Sequence, residues 1–297
     1  MRNLDEPNDA ILITGPTASG KSALALRLAR ECGGVVVNAD SMQVYDTLQV
    51  LTARPAEHEM EGIAHHLYGH VPAKSLYSTG EWLRDMEGLL VQLRAAGQRP
   101  VIVGGTGLYF KALTGGLSDM PAVAPEIRMR LRQRLIDEGS HALHSDLASR
   151  DRVSADALRP SDGQRIVRAL EVLEATGRSI RAFQGARGPM LVDPDQAKKY
   201  VVLPSREVLH QRINRRFEAM MESGAVEEVE ALLRLKLAED ATAMKAIGVV
   251  QIARLLRGEI DRAEAIATSA AATRQYAKRQ MTWFRNQMDE SWQRIVA

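Results

Sequence analysis

The sequence predicts an α/β protein built on a parallel sheet. Three features predict it: short apolar runs that read as buried strands, amphipathic helical stretches that alternate with them, and a glycine-rich turn joining the first strand to the first helix. AILIT (10–14) is the first run; it ends in GPTASGKS (15–22), and a helical pattern follows from Ser22 to about Glu31. VVVN (35–38) is β-branched and apolar on both sides, as strands covered on two faces are, and it leads directly into ADSMQVY, so Asp40 belongs at a strand's carboxyl end. Ser78 and Glu81 stand at capping-box spacing before an amphipathic stretch that runs to Ala96, where Gly97 is placed to end it. PVIVGG (100–105) is the next buried strand. Parallel sheets of this kind bind ligands beyond the carboxyl ends of their strands. The loop at 15–22, ADSMQVY and GGTGLY (104–109) all fall at such ends.

From Met120 to Ala197 arginines become frequent and strand signals disappear, while stretches such as EIRMRLRQRLIDEG and DGQRIVRALEVLEATG keep a helical period. This predicts an inserted all-helical subdomain, 120–197, between the two parts of the α/β core, 1–119 and 198–297. KYVVLPS (199–205) reads as a return to the sheet. Everything after it reads as helical, ending in a long helix opened by Asp261 with Glu264 in capping-box register.

With 297 residues, 45% of them hydrophobic, the chain can bury a sizeable core without covalent staples. Its single cysteine, Cys32, excludes an intramolecular disulfide framework and fits a reducing compartment, so a cytoplasmic location is expected. The start carries acids before a short apolar run rather than a basic flank, and no stretch reaches membrane-spanning length, so neither a secretory signal nor a membrane partner is expected. The small net charge of +2 hides an asymmetry: residues 1–121 hold 10 basic and 13 acidic side chains, the remainder 29 and 24. A polyanion would therefore meet the later two thirds.

GPTASGKS fits the phosphate-loop pattern G-x-x-x-x-G-K-[ST] in the strand-to-helix context it requires. Glycines let backbone N–H groups point at a phosphate, the helix N-terminus adds partial positive charge, Lys21 neutralises phosphate oxygens, and the Ser22 hydroxyl suits a Mg²⁺ shell. Asp40 reads either as a Mg²⁺-water ligand or helix cap, or as a general base facing this loop. GGTGLY supplies flexible backbone, or simply a turn needing positive φ, together with the Thr106 hydroxyl. Arg212 and Arg216 lie one helical turn apart beside Arg215; they form either an exposed basic face or the fork a departing diphosphate needs. Gln164, Arg165 and Arg168, with Arg128, make a basic helical surface in the insertion. Residues 265–288 hold no acid but carry Arg274, Lys278, Arg279 and Arg285 among Tyr276, Trp283 and Phe284, a mixture suited to splayed single-stranded RNA. His65 and His66 lack companions at metal-ligand spacing and read as structural, and Met220 and Met221 read as core filling.

Taken in order, GPTASGKS, NADSMQVY, VGGTGLYFKAL, SDGQRIVRALEVLEATG, RINRRFEAMMESG and TRQYAKRQMTWFR resemble the tRNA dimethylallyltransferase, or tRNA isopentenyltransferase, family over nearly the whole chain. The resemblance implies a P-loop NTPase-like core and a prenyltransferase that moves the dimethylallyl group of dimethylallyl diphosphate to N6 of the adenosine 3′ of the anticodon. It implies that Gly15, Pro16, Thr17, Ala18, Ser19, Gly20, Lys21 and Ser22 hold the diphosphate with Mg²⁺ on Ser22, that Asp40 is the base aided by Thr106, and that Arg212 or Arg216 steadies the diphosphate. Contacts with the anticodon stem-loop are implied for Asp40, Ser41, Met42, Gln43, Thr106, Arg128, Gln164, Arg165, Ile166, Val167, Arg168, Lys245, Lys278, Arg279 and Arg285, with the inserted helices gripping the arm of a flipped-out adenosine. A monomer is expected. The chain departs from the family pattern at Val249, where a tyrosine commonly follows Gly248, and at Leu51, where Gly-Thr-Ala-Lys commonly begins. A small-molecule or nucleoside kinase would explain the first 120 residues equally well, but not the basic helices after them. A non-catalytic RNA adaptor would leave the phosphate loop and its facing acid without a use.

Overall fold

The structure, a computed structural model, describes residues 10–118, 120–185, 188–238 and 241–296. In chain order its elements are β1 (Ile11–Thr14), α1 (Lys21–Cys32), β2 (Val35–Asn38), β3 (His65–His66), α2 (Thr79–Ala95), β4 (Pro100–Gly104), α3 (Gly107–Gly115), α4 (Pro125–Arg150), α5 (Arg152–Asp156), α6 (Gly163–Thr176), α7 (Ile180–Gln184), β5 (Lys198–Val202), α8 (Arg206–Glu222), α9 (Ala225–Arg234), α10 (Val249–Leu256), α11 (Arg262–Gln287) and β6 (Gln293–Ile295). The six strands form one sheet in the order β3-β2-β4-β1-β5-β6, and every pairing is parallel. This is the predicted parallel α/β core, with β1 and its phosphate loop at the centre.

The strands read as unbroken apolar runs because both faces are covered. Along β1, Ile11 and Ile13 join Ala25 and Ala29 of α1 on one side, while Leu12 between them packs with Trp82, Phe110 and Phe284 on the other. That period of two holds the central strands between two helical layers. Ser78 caps α2 with the predicted reciprocal box: its side chain accepts from the Glu81 N–H, and the Glu81 carboxylate from the Ser78 N–H. Gly97 follows in the left-handed region at φ 64. Asp261 caps α11 by accepting from the Glu264 N–H at 2.7 Å.

Two strands escape the sequence pattern. β3 is only two residues long, and β6 is a polar, exposed three-residue strand that pairs Gln293, Arg294 and Ile295 with Tyr200, Val201 and Val202. The region after KYVVLPS is therefore not wholly helical. Edge strands of this length carry no apolar period, and only their partners' backbone recruits them.

By internal contact the chain forms two compact units, Met1–Thr114 with Leu191–Ala297, and Gly115–Met190. The second is helical and has its own core of Leu131, Leu143, Leu147, Ile166 and Leu170. In it, α4 is broken at Gly139 (φ 80, ψ 167) and α6 runs from an Asp162 cap to a left-handed Gly177.

Candidate active site

The loop after β1 is shaped by close approach and by left-handed backbone. Gly15 has no room for a side chain, because a Cβ would lie 2.6 Å from the Val202 carbonyl oxygen. Ala18 (φ 62) and Gly20 (φ 91) both adopt the left-handed region, which turns the chain into α1. Gly20 caps α1 without a side-chain acceptor, so the first N–H groups of the helix have no intrahelical partner, the condition for anion binding. The Ser19 hydroxyl is fully buried in this loop with no hydrogen-bond partner among the described residues. A buried orphan of this kind costs roughly 1–3 kcal/mol.

Three cations converge here. The Lys21 ammonium donates to the Pro16 carbonyl at 3.3 Å. Helix α8 adds Arg212, which donates to the Ser19 carbonyl at 3.3 Å, and Arg216, which donates to the Thr17 hydroxyl at 3.5 Å. Burial pulls Lys21 down to about 8, opposed by Asp40 and reinforced by Arg216. Burial likewise pulls Arg216 below its ordinary value, opposed by Asp40. These groups and residues 17–22 line a cavity of about 430 Å³ together with Asp40, Gln43 and Thr52. Three cations facing one carboxylate, two of them, Lys21 and Arg216, partly buried, are under-neutralised, so the cavity favours an anion.

Asp40 follows β2 by two residues and is locked by a neighbour the sequence reading did not single out. The fully buried Asn38 accepts the Asp40 backbone N–H at 2.8 Å and donates from its amide to the Asp40 and Leu67 carbonyls, each at 3.0 Å. One Asp40 carboxylate oxygen accepts from the Met42 N–H at 3.0 Å; the other has no hydrogen bond among the described residues. Thr106 has no hydrogen bond to this carboxylate among the described residues. Its hydroxyl accepts from the Ser41 N–H at 2.9 Å and donates to the Ser41 hydroxyl at 3.2 Å, so any effect on Asp40 runs through the 40–41 backbone. The glycines of GGTGLY are not at positive φ, contrary to the turn reading. They are there for close approach: a Cβ on Gly104 would lie 2.0 Å from the Ala39 carbonyl oxygen, and one on Gly107 would lie 2.1 Å from the Trp283 ring.

A second cavity, of about 320 Å³, shares Thr17, Ala18, Asp40, Thr52 and Arg216 with the first. Its walls are Met42, Leu51, Ile213, Phe217 and Met220, and it also reaches Lys245, Tyr276 and Arg279. Met220 is thus a cavity wall, whereas Met221 fills the core as expected. Leu51 packs in that core against the position where a Cβ on Gly248 would lie, 2.7 Å from its methyl. Thr52, which lines both cavities, sits on a loop held from two sides. The Glu228 carboxylate accepts the N–H groups of Gln49, Val50 and Leu51 at 2.6–3.0 Å, and the Gln43 amide donates to the Thr52 and Ala53 carbonyls. Gln43 therefore spends its amide donors on this wall while also lining the first cavity.

The proposed RNA residues divide unevenly. In the helical unit, Ile166 and Val167 are buried in the core, so their side chains are not available to a partner. Arg168 and Arg128 both pair with the buried Glu171, at 3.1 and 3.9 Å, and Arg165 pairs with Asp162 at 3.4 Å. Lys278, Arg279 and Arg285 on α11 have no ion pair among the described residues. Lys278 and Arg279 line a groove with Gln275, Thr282, Trp283 and Asn286, and Arg279 also lines the apolar cavity, its guanidinium 5.6 Å from the Tyr276 ring centre. The residues missed by sequence reasoning, Asn38, Thr52, Glu228 and Gln280, are ordinary polar side chains whose roles come from what they meet across the fold.

Mg²⁺ fits the donor chemistry without a protein cage. Ser22 and Asp40 line the phosphate cavity, and no cluster of three His, Cys, Asp or Glu that could hold a metal occurs among the described residues. Mg²⁺ is held well by one or two protein oxygens plus phosphate oxygens and water. His65 and His66 form β3, with the His65 Nδ1 2.8 Å from the Ile63 carbonyl. No helix among the described residues is long and apolar enough to cross a membrane.

Comparison with known proteins gives consistent matches. A family model described as IPP transferase matches residues 43–287, and one described as isopentenyl transferase matches residues 8–69. A tRNA dimethylallyltransferase of Agrobacterium fabrum is 73% identical over 295 residues, covering 99% of each chain, and one of Allorhizobium ampelinum is 67% identical, covering 99% of this chain and 97% of its own. The crystal structure of the full-length tRNA isopentenylpyrophosphate transferase of Bacillus halodurans superposes with a TM-score of 0.68 at 32% identity, over 97% of this chain and 90% of that one. A eukaryotic dimethylallyltransferase caught acting on tRNA superposes with a TM-score of 0.79 at 26% identity, over 93% of this chain and 70% of that one.

Proposed function

The chain belongs to the tRNA dimethylallyltransferase family, and on that premise we propose that it transfers the dimethylallyl group of dimethylallyl diphosphate to N6 of the adenosine immediately 3′ of the anticodon of tRNA. The observation that carries the reading is the meeting of a cationic cavity and an apolar cavity at Asp40. A prenyl diphosphate has those two halves. Its diphosphate suits the 15–22 loop, Lys21, Arg212 and Arg216, and its five-carbon chain suits the wall of Leu51, Ile213 and Phe217.

With the donor so held, its first carbon lies where the cavities join. A flipped-out adenine brings its exocyclic amine to that carbon on the side away from the diphosphate. The N6–C bond forms as the C–O bond breaks, the electron pair leaves with the diphosphate, and the amine proton passes to the free oxygen of Asp40. Arg212, Arg216 and Lys21 stabilise the charge gathering on the leaving group. Mg²⁺, with Ser22 and the diphosphate as ligands, would neutralise further charge on the same oxygens. The Arg279–Lys278 groove on α11 supplies cations with no ion pair among the described residues, and Trp283, for the RNA.

A kinase would use the same loop, so the test is the cosubstrate. Wild type should transfer label from dimethylallyl diphosphate to an anticodon stem-loop and be protected from thermal unfolding by that donor with Mg²⁺. Protection by ATP without prenyl transfer would refute the proposal. Asp40→Asn keeps the Met42 contact and the donor site but removes the proton acceptor, so kcat should fall about 10²–10⁴-fold at nearly unchanged donor affinity. Near-normal kcat would mean that another group is the base.

A further inference from the structure

We infer that Gln280 is a positioning residue that clamps the phosphate loop to the loop beneath the catalytic base, an inference that rests on the prenyl-transfer reading. Gln280 lies on α11 and is 6% exposed. Its side-chain oxygen accepts the Thr17 backbone N–H at 2.9 Å, and its side-chain nitrogen donates to the Gly105 carbonyl at 2.9 Å. One amide therefore joins two segments 88 residues apart in the chain, the cradle at 15–22 and the turn whose next residue, Thr106, holds Ser41.

The packing around it supports the assignment. A Cβ on Gly105 would lie 2.5 Å from the Gln280 amide nitrogen and one on Gly107 2.1 Å from the Trp283 ring, so α11 presses on this turn at two glycines through side chains one helical turn apart. Both hydrogen-bonding functions of the amide are used, in opposite senses, so no apolar or singly charged side chain of the same length can replace it. The distance fixed this way is the one the reaction depends on, from diphosphate to base. A misplacement of about 1 Å between reacting groups can cost about 10²-fold in rate.

The test compares Gln280→Met, which keeps the shape and loses both bonds, with Gln280→Glu, which keeps an acceptor for Thr17 but sets an oxygen against the Gly105 carbonyl. Gln280→Met should lower kcat by about 10–100-fold while KM for dimethylallyl diphosphate moves less than about threefold. Amide exchange in peptides covering 15–20 and 104–107 should accelerate without exchange elsewhere in the core. Gln280→Glu should be as impaired at pH 8 and recover relative to wild type toward pH 6, because burial raises its carboxyl pKa and the protonated acid can donate to Gly105. Unchanged kcat in Gln280→Met, or an altered melting temperature with unchanged local exchange and no pH-dependent recovery in Gln280→Glu, would overturn the clamp. A wild type without prenyl transfer would overturn the proposed function instead, since the exchange measurement reads the clamp independently of activity.

Discussion

Lys21 ties donor binding and stability to pH in opposite directions. Burial lowers its pKa from 10.5 to about 8 in the free protein. The charged form binds diphosphate, so kcat/KM for the donor should follow the protonated fraction, which falls from about 90% at pH 7 to about 9% at pH 9 for a pKa near 8, a tenfold loss. Once the diphosphate is bound its charge raises the lysine pKa, so kcat at saturating donor should stay flat over the same range. Stability moves the other way. Between about pH 8 and 10.5 the unfolded chain holds a proton on Lys21 that the folded protein has shed, so unfolding free energy rises with pH, by about 3 kcal/mol for a difference of this size. Initial rates with stem-loop RNA at varied donor, together with urea unfolding from pH 7 to 9.5, measure both. Lys21→Arg, which stays charged, should lose the pH-dependent fall in kcat/KM. A wild-type kcat/KM constant within twofold from pH 7 to 9, or an identical fall in Lys21→Arg, would show that this ammonium does not control donor binding.

Two further outcomes follow from ion pairing and backbone support. Glu228→Ala strips a charged acceptor from three backbone N–H groups behind Thr52 and should cost about 3 kcal/mol, a fall of roughly 5 °C in melting temperature for a chain of this length, with Glu228→Gln losing less; calorimetry checks it, and an unchanged Tm would deny that carboxylate its role. Because Lys278 and Arg279 carry no ion pair among the described residues while Arg165 and Arg168 do, neutralising the first pair should flatten the salt dependence of tRNA binding by roughly 0.7–0.9 in slope per lost contact, and the second pair by less. Equal slopes for both double variants in filter binding would refute this division.

The sequence alone determined the sheet's central strands, the phosphate loop, the strand-end placement of Asp40 and the capped helices. Each is written in a local pattern: a two-sided apolar run, a glycine spacing, or a cap three residues from its partner. It also determined that Arg212 and Arg216 share a helical face, although that same pattern fitted an exposed basic surface, and only the packing of α8 beside residues 17–20 decided that the pair faces the phosphate loop. Tertiary structure decided the rest. Gly104, Gly105 and Gly107 are small because Ala39, Gln280 and Trp283 stand against them, not because their φ demands it. Arg128 and Arg168 look like free cations until the buried Glu171 is seen between them. Gln43, Asn38, Glu228 and Gln280 are unremarkable letters whose partners lie up to 263 residues away. Hydrogen bonds that fix a site are satisfied by whatever the fold brings within 3 Å, and that neighbour is set by topology rather than by adjacency in the chain.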